Sequence, residues 1–134
     1  MNEVLTTCPY CGCGCNLYLL VNRDGDVTGV VPSREHPVSQ GKLCVKGWNV
    51  YEFINSPNRL SNPQIKKSGT FQEVTWNEAL NTTADKLKAI IQKWGPDSVG
   101  FLSSAKCTNE ENFLFAKFAR AVVGTNNIDH CARL

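Results

Sequence analysis

The stretch "CPYCGCGC", residues 8–15, places four of the chain's seven cysteines within one short segment. A fifth cysteine, Cys44, follows in "GKLCVKGW", residues 41–48. The N-terminus "MNEVLTTCPY" lacks the basic and apolar segments of a secretory signal, which favours a cytoplasmic, reducing location. Clustered cysteines in such a compartment more often bind metal or carry out redox chemistry than form structural disulfides. The stretch therefore predicts a metal centre near the N-terminus.

The cysteine spacing favours an iron–sulfur cluster. Three thiolates at short intervals can bind one side of a compact cluster, and a distant fourth can complete it. This suits a [4Fe-4S] cubane, in which each iron takes one cysteine. Gly12 and Gly14 allow the tight turns that bring amide N–H groups close to the sulfurs, where they tune the potential. The predicted ligands are Cys8, Cys11, Cys15 and Cys44.

Structural zinc and unligated buried cysteines are the alternatives. Zinc sites usually pair two C-x2-C knuckles, or one knuckle with two histidines. Here the second half of the motif offers only Cys44, with His36 as the nearby histidine. Cys13 is an extra thiol in the loop and could replace Cys11 or Cys15 as a ligand.

Composition is ordinary for a soluble globular chain of 134 residues, with 42% hydrophobic and 19% charged residues. The net charge of +2 is too small to argue for nucleic acid as a partner. No run of 18 apolar residues predicts a transmembrane helix.

Periodicity predicts an α+β fold in which a small β-rich cluster-binding domain is followed by the beginning of an α/β domain with a parallel sheet. The expected domains are residues 1–60 and 61–134, the second an incomplete first βαβ segment. Thr75 and Glu78 form a capping-box pattern at the start of a long helix, which Gly95 should end. The main predicted elements are strands at 16–23, 26–32 and 98–104, and helices at 47–54, 76–94 and 109–124.

Four stretches taken in order resemble the N-terminal part of the catalytic subunit of molybdenum- or tungsten-bis(pterin) formate dehydrogenases, in the dimethyl-sulfoxide-reductase superfamily. The resemblance implies that Cys8, Cys11, Cys15 and Cys44 bind a [4Fe-4S] cluster. It also implies that Lys46 lies between the cluster and the nearer pterin and helps electron transfer. From the residues alone, Lys46 is equally a solvated surface lysine. The stretches are "CPYCGCGCNLYLLV" (8–21), "GKLCVKGW" (41–48), "VTWNEAL" (74–80) and "GTNNIDHCARL" (124–134).

The family's chemistry is oxidation of formate to CO2, with two electrons leaving through the cluster. It takes place at molybdenum or tungsten held by two molybdopterin guanine dinucleotides. The family's metal-ligating cysteine or selenocysteine and a histidine follow the stretch that matches "DHCARL". We therefore expect no catalytic residue in this chain, the reactive position immediately after Leu134, and a selenocysteine codon there. The chain alone should be inactive.

Residues near the predicted active site are weaker candidates. Cys131 matches a family cysteine that does not ligate the metal, and we expect it to be a small buried residue. His130 and Arg133 lie close to the expected site. A strand-to-helix connection, where cofactor contacts often arise, carries Ser103, Ser104, Asn109 and Glu110.

Other functions stay open at this point. The chain could be a stand-alone [4Fe-4S] electron-transfer protein, or part of another superfamily member such as a nitrate reductase. For a formate dehydrogenase, the expected partners are other subunits or an external electron acceptor.

Overall fold

The computed structural model describes residues 2–131, and these fall into two compact units. The first unit comprises the residues up to Arg59, Ser103–Leu114 and the residues from His130 onward. The second comprises Leu60–Leu102 and Phe115–Asp129. The predicted fold class is confirmed, because an antiparallel N-terminal sheet is followed by a parallel one.

The N-terminal sheet consists of three antiparallel strands in the order β1 (Asn2–Thr7), β2 (Asn16–Val21) and β3 (Val27–Pro32). The predicted turn at Asp24 and Gly25 joins β2 to β3. The side chain of Asn22 builds this turn, since its Oδ1 accepts from the amide N–H of Asp24 at 2.9 Å and of Asp26 at 2.8 Å. Gly25 supplies the required positive φ of 93°.

The core of the first unit includes the first cysteine of the motif. Leu17 on β2 is fully buried, and it forms one apolar cluster with Cys8, Val30 and Val50. The contact of Leu17 with Cys8 packs β2 against the first residue of the cysteine loop, so the base of the loop belongs to the buried core.

The short helix α1 (Val45–Trp48) begins directly after Cys44. The sequence predicted a helix over 47–54, but turns follow from Asn49. The side chain of Asn49 donates to Val45 O at 2.7 Å, in competition with the helical backbone bond to the same oxygen. This local bond explains the early end of the helix.

The second unit opens with a hairpin, β4 (Gln64–Lys67) and β5 (Thr70–Glu73), followed by α2 (Trp76–Trp94). The predicted N-cap is confirmed, because Thr75 Oγ1 accepts from the N–H of Glu78 at 3.2 Å. The Glu78 carboxylate pairs with Lys67 Nζ at 2.7 Å.

A strand–helix–strand segment completes the described chain: β6 (Phe101–Ser104), α3 (Asn109–Lys117), a π-helical turn (Phe118–Val123) and β7 (Ile128–Cys131). The strands β6 and β7 form a two-stranded sheet. Within the second unit, Phe101, Ala119 and Val123 form the buried cluster. The predicted strand at 98–104 is shorter because Pro96–Ser98 forms a 3-10 turn.

The predicted end of the last helix is confirmed at Gly124, which adopts a left-handed φ of 84°. None of the helices formed by the described residues is long and apolar enough to cross a membrane.

Candidate metal centre

The cysteine loop joins β1 to β2 and is closed at its base by a backbone hydrogen bond. Cys8 N donates to Cys15 O at 2.8 Å, so the first and last loop cysteines face each other across the strand pair. Inside the loop, Gly14 N donates to Cys11 O at 3.3 Å, and Gly14 has a positive φ of 57°. The glycine thus permits the tight turn that the motif predicted.

The four predicted ligand thiols lie within electrostatic reach of one another. Burial is the main cause that raises the pKa of the Cys8 thiol, and the N–H of Tyr10 opposes it. The charges of Cys15, Cys11 and Cys44 raise the pKa further. A bound cation would offset this repulsion between thiolates, as iron does in a cluster.

Cys44 stands at the N-terminus of α1, where the local field favours its thiolate. The N–H of Gly47 is the largest cause that lowers the Cys44 pKa, followed among the favourable causes by the N–H and then the ammonium of Lys46. The thiolate is the form that binds metal.

Cys13 lies beside the predicted ligands but differs from them in its hydrogen bonding. It is exposed, and a hydrogen bond with the Cys11 thiol is the main cause that raises its pKa. Its role as a spare thiol stays a prediction.

Lys46 lies against an aromatic pair that the sequence did not indicate. Its Nζ is 5.9 Å from the ring centroid of Tyr10, and Tyr10 meets Phe53 edge-on with centroids 6.3 Å apart. These side chains line an open cleft of about 370 Å³ next to α1. The lysine is therefore a partly packed side chain with a defined neighbour.

A second cleft, of about 380 Å³, is lined by residues 11–14 of the cysteine loop and by residues 108–110. Here Asn109 Nδ2 donates to Gly12 O at 2.9 Å. His36 also lines this cleft, and its Nδ1 accepts from Ser39 N at 3.1 Å. Asn109 was expected to face a cofactor on fold grounds, and the structure shows that it contacts the cysteine loop.

The strand-to-helix connection forms its own polar network. The Ser103 hydroxyl donates to Asn112 Oδ1, and Asn112 Nδ2 donates to Ser104 O at 3.1 Å. Ser104 Oγ lies 3.1 Å from Cys131 Sγ. This network joins the end of β6 to the second turn of α3.

The expectation that Cys131 is buried is wrong, because the residue is exposed. The Ser104 hydroxyl is the main cause that lowers its pKa, followed among the favourable causes by the N–H of Ala105 and the charge of Lys106. The chain at this point is a β-strand end with polar neighbours, and not an apolar core position. Arg133 lies outside the described residues, and the predicted reactive position after Leu134 stays a prediction.

The ligand set Cys8, Cys11, Cys15 and Cys44 stays a prediction. Across residues 2–131, no group of three or more His, Cys, Asp or Glu side chains is arranged to hold a metal ion. Three of the four predicted ligand thiols lie on one loop, and the fourth lies at a separate helix start. One cysteine for each iron of a cubane is a fitting use of such a set.

Comparison with known families supports this chemistry. Residues 1–56 match the model described as "Molybdopterin oxidoreductase Fe4S4 domain", and residues 59–134 match the model described as "Molybdopterin oxidoreductase". The thiol-rich loop on a small sheet and the following strand–helix–strand segment are thus those of an iron–sulfur oxidoreductase. The chain belongs to the molybdopterin oxidoreductase family. The expected cofactor classes, a [4Fe-4S] cluster and a molybdopterin in the parent protein, are confirmed by these matches.

Two relatives are F420-dependent formate dehydrogenase alpha subunits. That of Methanocaldococcus jannaschii is 53% identical over 131 residues, which is 98% of this chain and 19% of the relative. Subunit alpha of formate dehydrogenase 1 from Methanococcus maripaludis is 50% identical over 134 residues, or 100% of this chain and 19% of the relative. The predicted resemblance to formate dehydrogenases is confirmed.

A solved structure shares the fold. Acetylene hydratase from Pelobacter acetylenicus matches with a TM-score of 0.71 and 25% identity, covering 94% of this chain and 18% of the hydratase. The chain therefore spans about a fifth of the length of each of these relatives.

Proposed function

We propose that this chain is the N-terminal, cluster-binding part of a formate dehydrogenase alpha subunit. Formate oxidation to CO2 releases two electrons and a proton, and we propose that the electrons leave by way of this part. The observation that carries the proposal is the convergence of four thiols on one loop and one helix start. The proposed ligands are Cys8, Cys11, Cys15 and Cys44.

A bound [4Fe-4S] cluster supplies a one-electron carrier, and the protein's own residues set the conditions for it. Buried Cys8 fixes one ligand to the apolar core of the first unit. Cys44 presents a thiol whose pKa is lowered at the start of α1. Lys46 adds a positive charge close to Cys44, which favours the more negative, reduced state of a cluster.

The proposed division of labour follows the chain. Residues 1–60 form the cluster-binding domain, and residues 61–134 begin the pterin-binding body. The two family matches, to 1–56 and to 59–134, support this boundary. Other subunits or an electron acceptor would receive the electrons, in keeping with the name of two relatives as alpha subunits.

The ligand assignment is tested by serine substitution in protein purified without oxygen. Iron and sulfide analysis of the unaltered chain should give about four of each per chain, as a cubane requires. Changing each proposed ligand to serine should lose iron, whereas Cys13→Ser is the matched control from the same loop and should keep it. Zinc instead of iron, or iron loss in Cys13→Ser alone, would overturn the proposal.

The role of Lys46 is tested by its charge. Lys46→Gln should lower the midpoint potential of the cluster, because a cation that stabilises the reduced state is removed. The control is Lys42→Gln, which changes an exposed lysine four residues before Lys46. Equal shifts in both variants at low salt would show that Lys46 acts only through net charge.

A further inference from the structure

The cysteine loop is held by a side chain from a distant part of the sequence. Asn109 Nδ2 donates to Gly12 O at 2.9 Å, across a separation of 97 residues. The other end of the same amide, Asn109 Oδ1, fills the space in which a Cβ at position 12 would stand. Gly12 is not among the glycines with positive φ, so its backbone does not itself require glycine. Close packing against Asn109 therefore explains why this loop position has no side chain.

Asn109 approaches the loop from a fixed backbone. It is the first residue of α3, and a reciprocal capping box precedes it. Thr108 N donates to Glu111 Oε2 at 2.7 Å, and Glu111 N donates to Thr108 Oγ1 at 3.2 Å. Such a box satisfies two of the free amides of the first turn and fixes the entry of the chain into the helix. The backbone that carries the Asn109 amide is thus held at the helix start by this box.

The bond to Gly12 O determines the orientation of a whole peptide unit. The C=O of Gly12 and the N–H of Cys13 belong to one planar trans peptide, in which the two groups point in opposite directions. Fixing the oxygen on Asn109 therefore also fixes the direction of the Cys13 N–H. This peptide lies between Cys11 and Cys15, where amide dipoles act on the sulfur ligands. The number and direction of such N–H groups set the reduction potential of iron–sulfur clusters.

We propose that Asn109 is a positioning residue for the cysteine loop. It fixes the Gly12–Cys13 peptide and thereby the midpoint potential and the retention of a cluster bound to the loop. This inference rests on the proposed function, because it assumes that the loop cysteines are ligands.

The test is a double-mutant cycle on protein that is purified without oxygen and carries its cluster. Asn109→Ala should shift the midpoint potential and speed iron loss to a chelator by roughly 2- to 12-fold, the range expected for one net hydrogen bond. Gly12→Ala should do the same, because its new Cβ meets the Asn109 amide. In the double variant, the shift in midpoint potential and the increase in the rate of iron loss should be smaller than the combined effects of the two single variants. The reason is that Asn109→Ala removes the atoms that the new Cβ would overlap.

Asn112→Ala is the matched control, one turn further along α3, where Asn112 bonds Ser103 and Ser104 and not the cysteine loop. It should leave the midpoint potential unchanged even if it lowers stability. If Asn109→Ala does not fold, Asn109→Ser, which keeps a short polar group at the helix start, is measured in its place. It should show the same shift in midpoint potential and the same faster loss of iron.

The outcomes separate the two proposals. If the unaltered protein carries a cluster but Asn109→Ala matches it in potential and iron retention, the positioning role is wrong. Additive effects of Gly12→Ala and Asn109→Ala would also overturn it. If the unaltered protein binds no iron, the proposed function itself fails, and the positioning role fails with it.

Discussion

Leu17→Ala should weaken the support of the cysteine loop more than any comparable change in the N-terminal sheet. Leu17 is 0% exposed, lies two residues after Cys15, and packs with Cys8, Val30 and Val50. The space left by the substitution has to be filled by movement of the surrounding side chains or of the two strands that carry the loop.

The magnitude follows from the atoms removed. Leucine to alanine deletes three carbon groups, each worth about 0.8 kcal/mol when buried, or about 2.4 kcal/mol in transfer free energy. The residual cavity adds to this, and buried leucines in general cost about 2–5 kcal/mol. A loss of this size raises the unfolded fraction roughly 50-fold or more.

Urea unfolding followed by circular dichroism measures the loss, and hydrogen–deuterium exchange of peptides from β1, β2 and β3 locates it. The control is Leu5→Ala on β1, where the side chain is 54% exposed and the cost should stay within about 0.5 kcal/mol. If the two substitutions cost the same, or if exchange rises only in α2, Leu17 does not hold the base of the cysteine loop.

Two further predictions concern the thiols and the second unit. In metal-free protein, iodoacetamide should modify Cys131 at lower pH than Cys13, because the pKa of Cys131 is lowered and that of Cys13 is raised, and only the thiolate reacts. Ser104→Ala should move the labelling of Cys131 to higher pH, and peptide mass spectrometry that shows no such order would contradict this. Thr125→Val should cost about 1–3 kcal/mol in thermal unfolding, since the buried Thr125 hydroxyl donates to Asp97 Oδ1 at 2.7 Å. Thr125→Ser keeps that hydroxyl and should cost less; an equal or larger loss in Thr125→Ser would show that the hydrogen bond is not the main contribution of this side chain.

Local signals made much of the fold predictable. The turn at Asp24 and Gly25, the cap at Thr75 and the helix ends at Gly95 and Gly124 each depend on residues within a few positions of one another. At that range, side chains compete with the backbone for hydrogen bonds, and the residue types that do so can be read from the sequence. Where the prediction of a helix was wrong, at α1, an equally local bond of Asn49 was the cause.

The parts of the site that were not predicted depend on residues far apart in the chain. Single-sequence spacing indicates four cysteines that suit a cluster, but it does not indicate that Asn109 meets Gly12. Nor does it indicate that Tyr10 lies beside Lys46, because a tyrosine at this position could equally pack in an apolar cluster away from any lysine. The exposure of Cys131 was missed for a similar reason, since burial is set by elements that pack around a strand end.

The bond between Gly12 and Asn109 has a consequence for synthesis of the protein. Ribosomes add about 5–20 residues each second, so the 97 residues that separate the two partners take roughly 5–20 s to make. For that interval after Gly12 leaves the ribosome, the cysteine loop lacks its bond to Asn109. The peptide between Gly12 and Cys13 should therefore reach its final orientation only late in the synthesis of the chain.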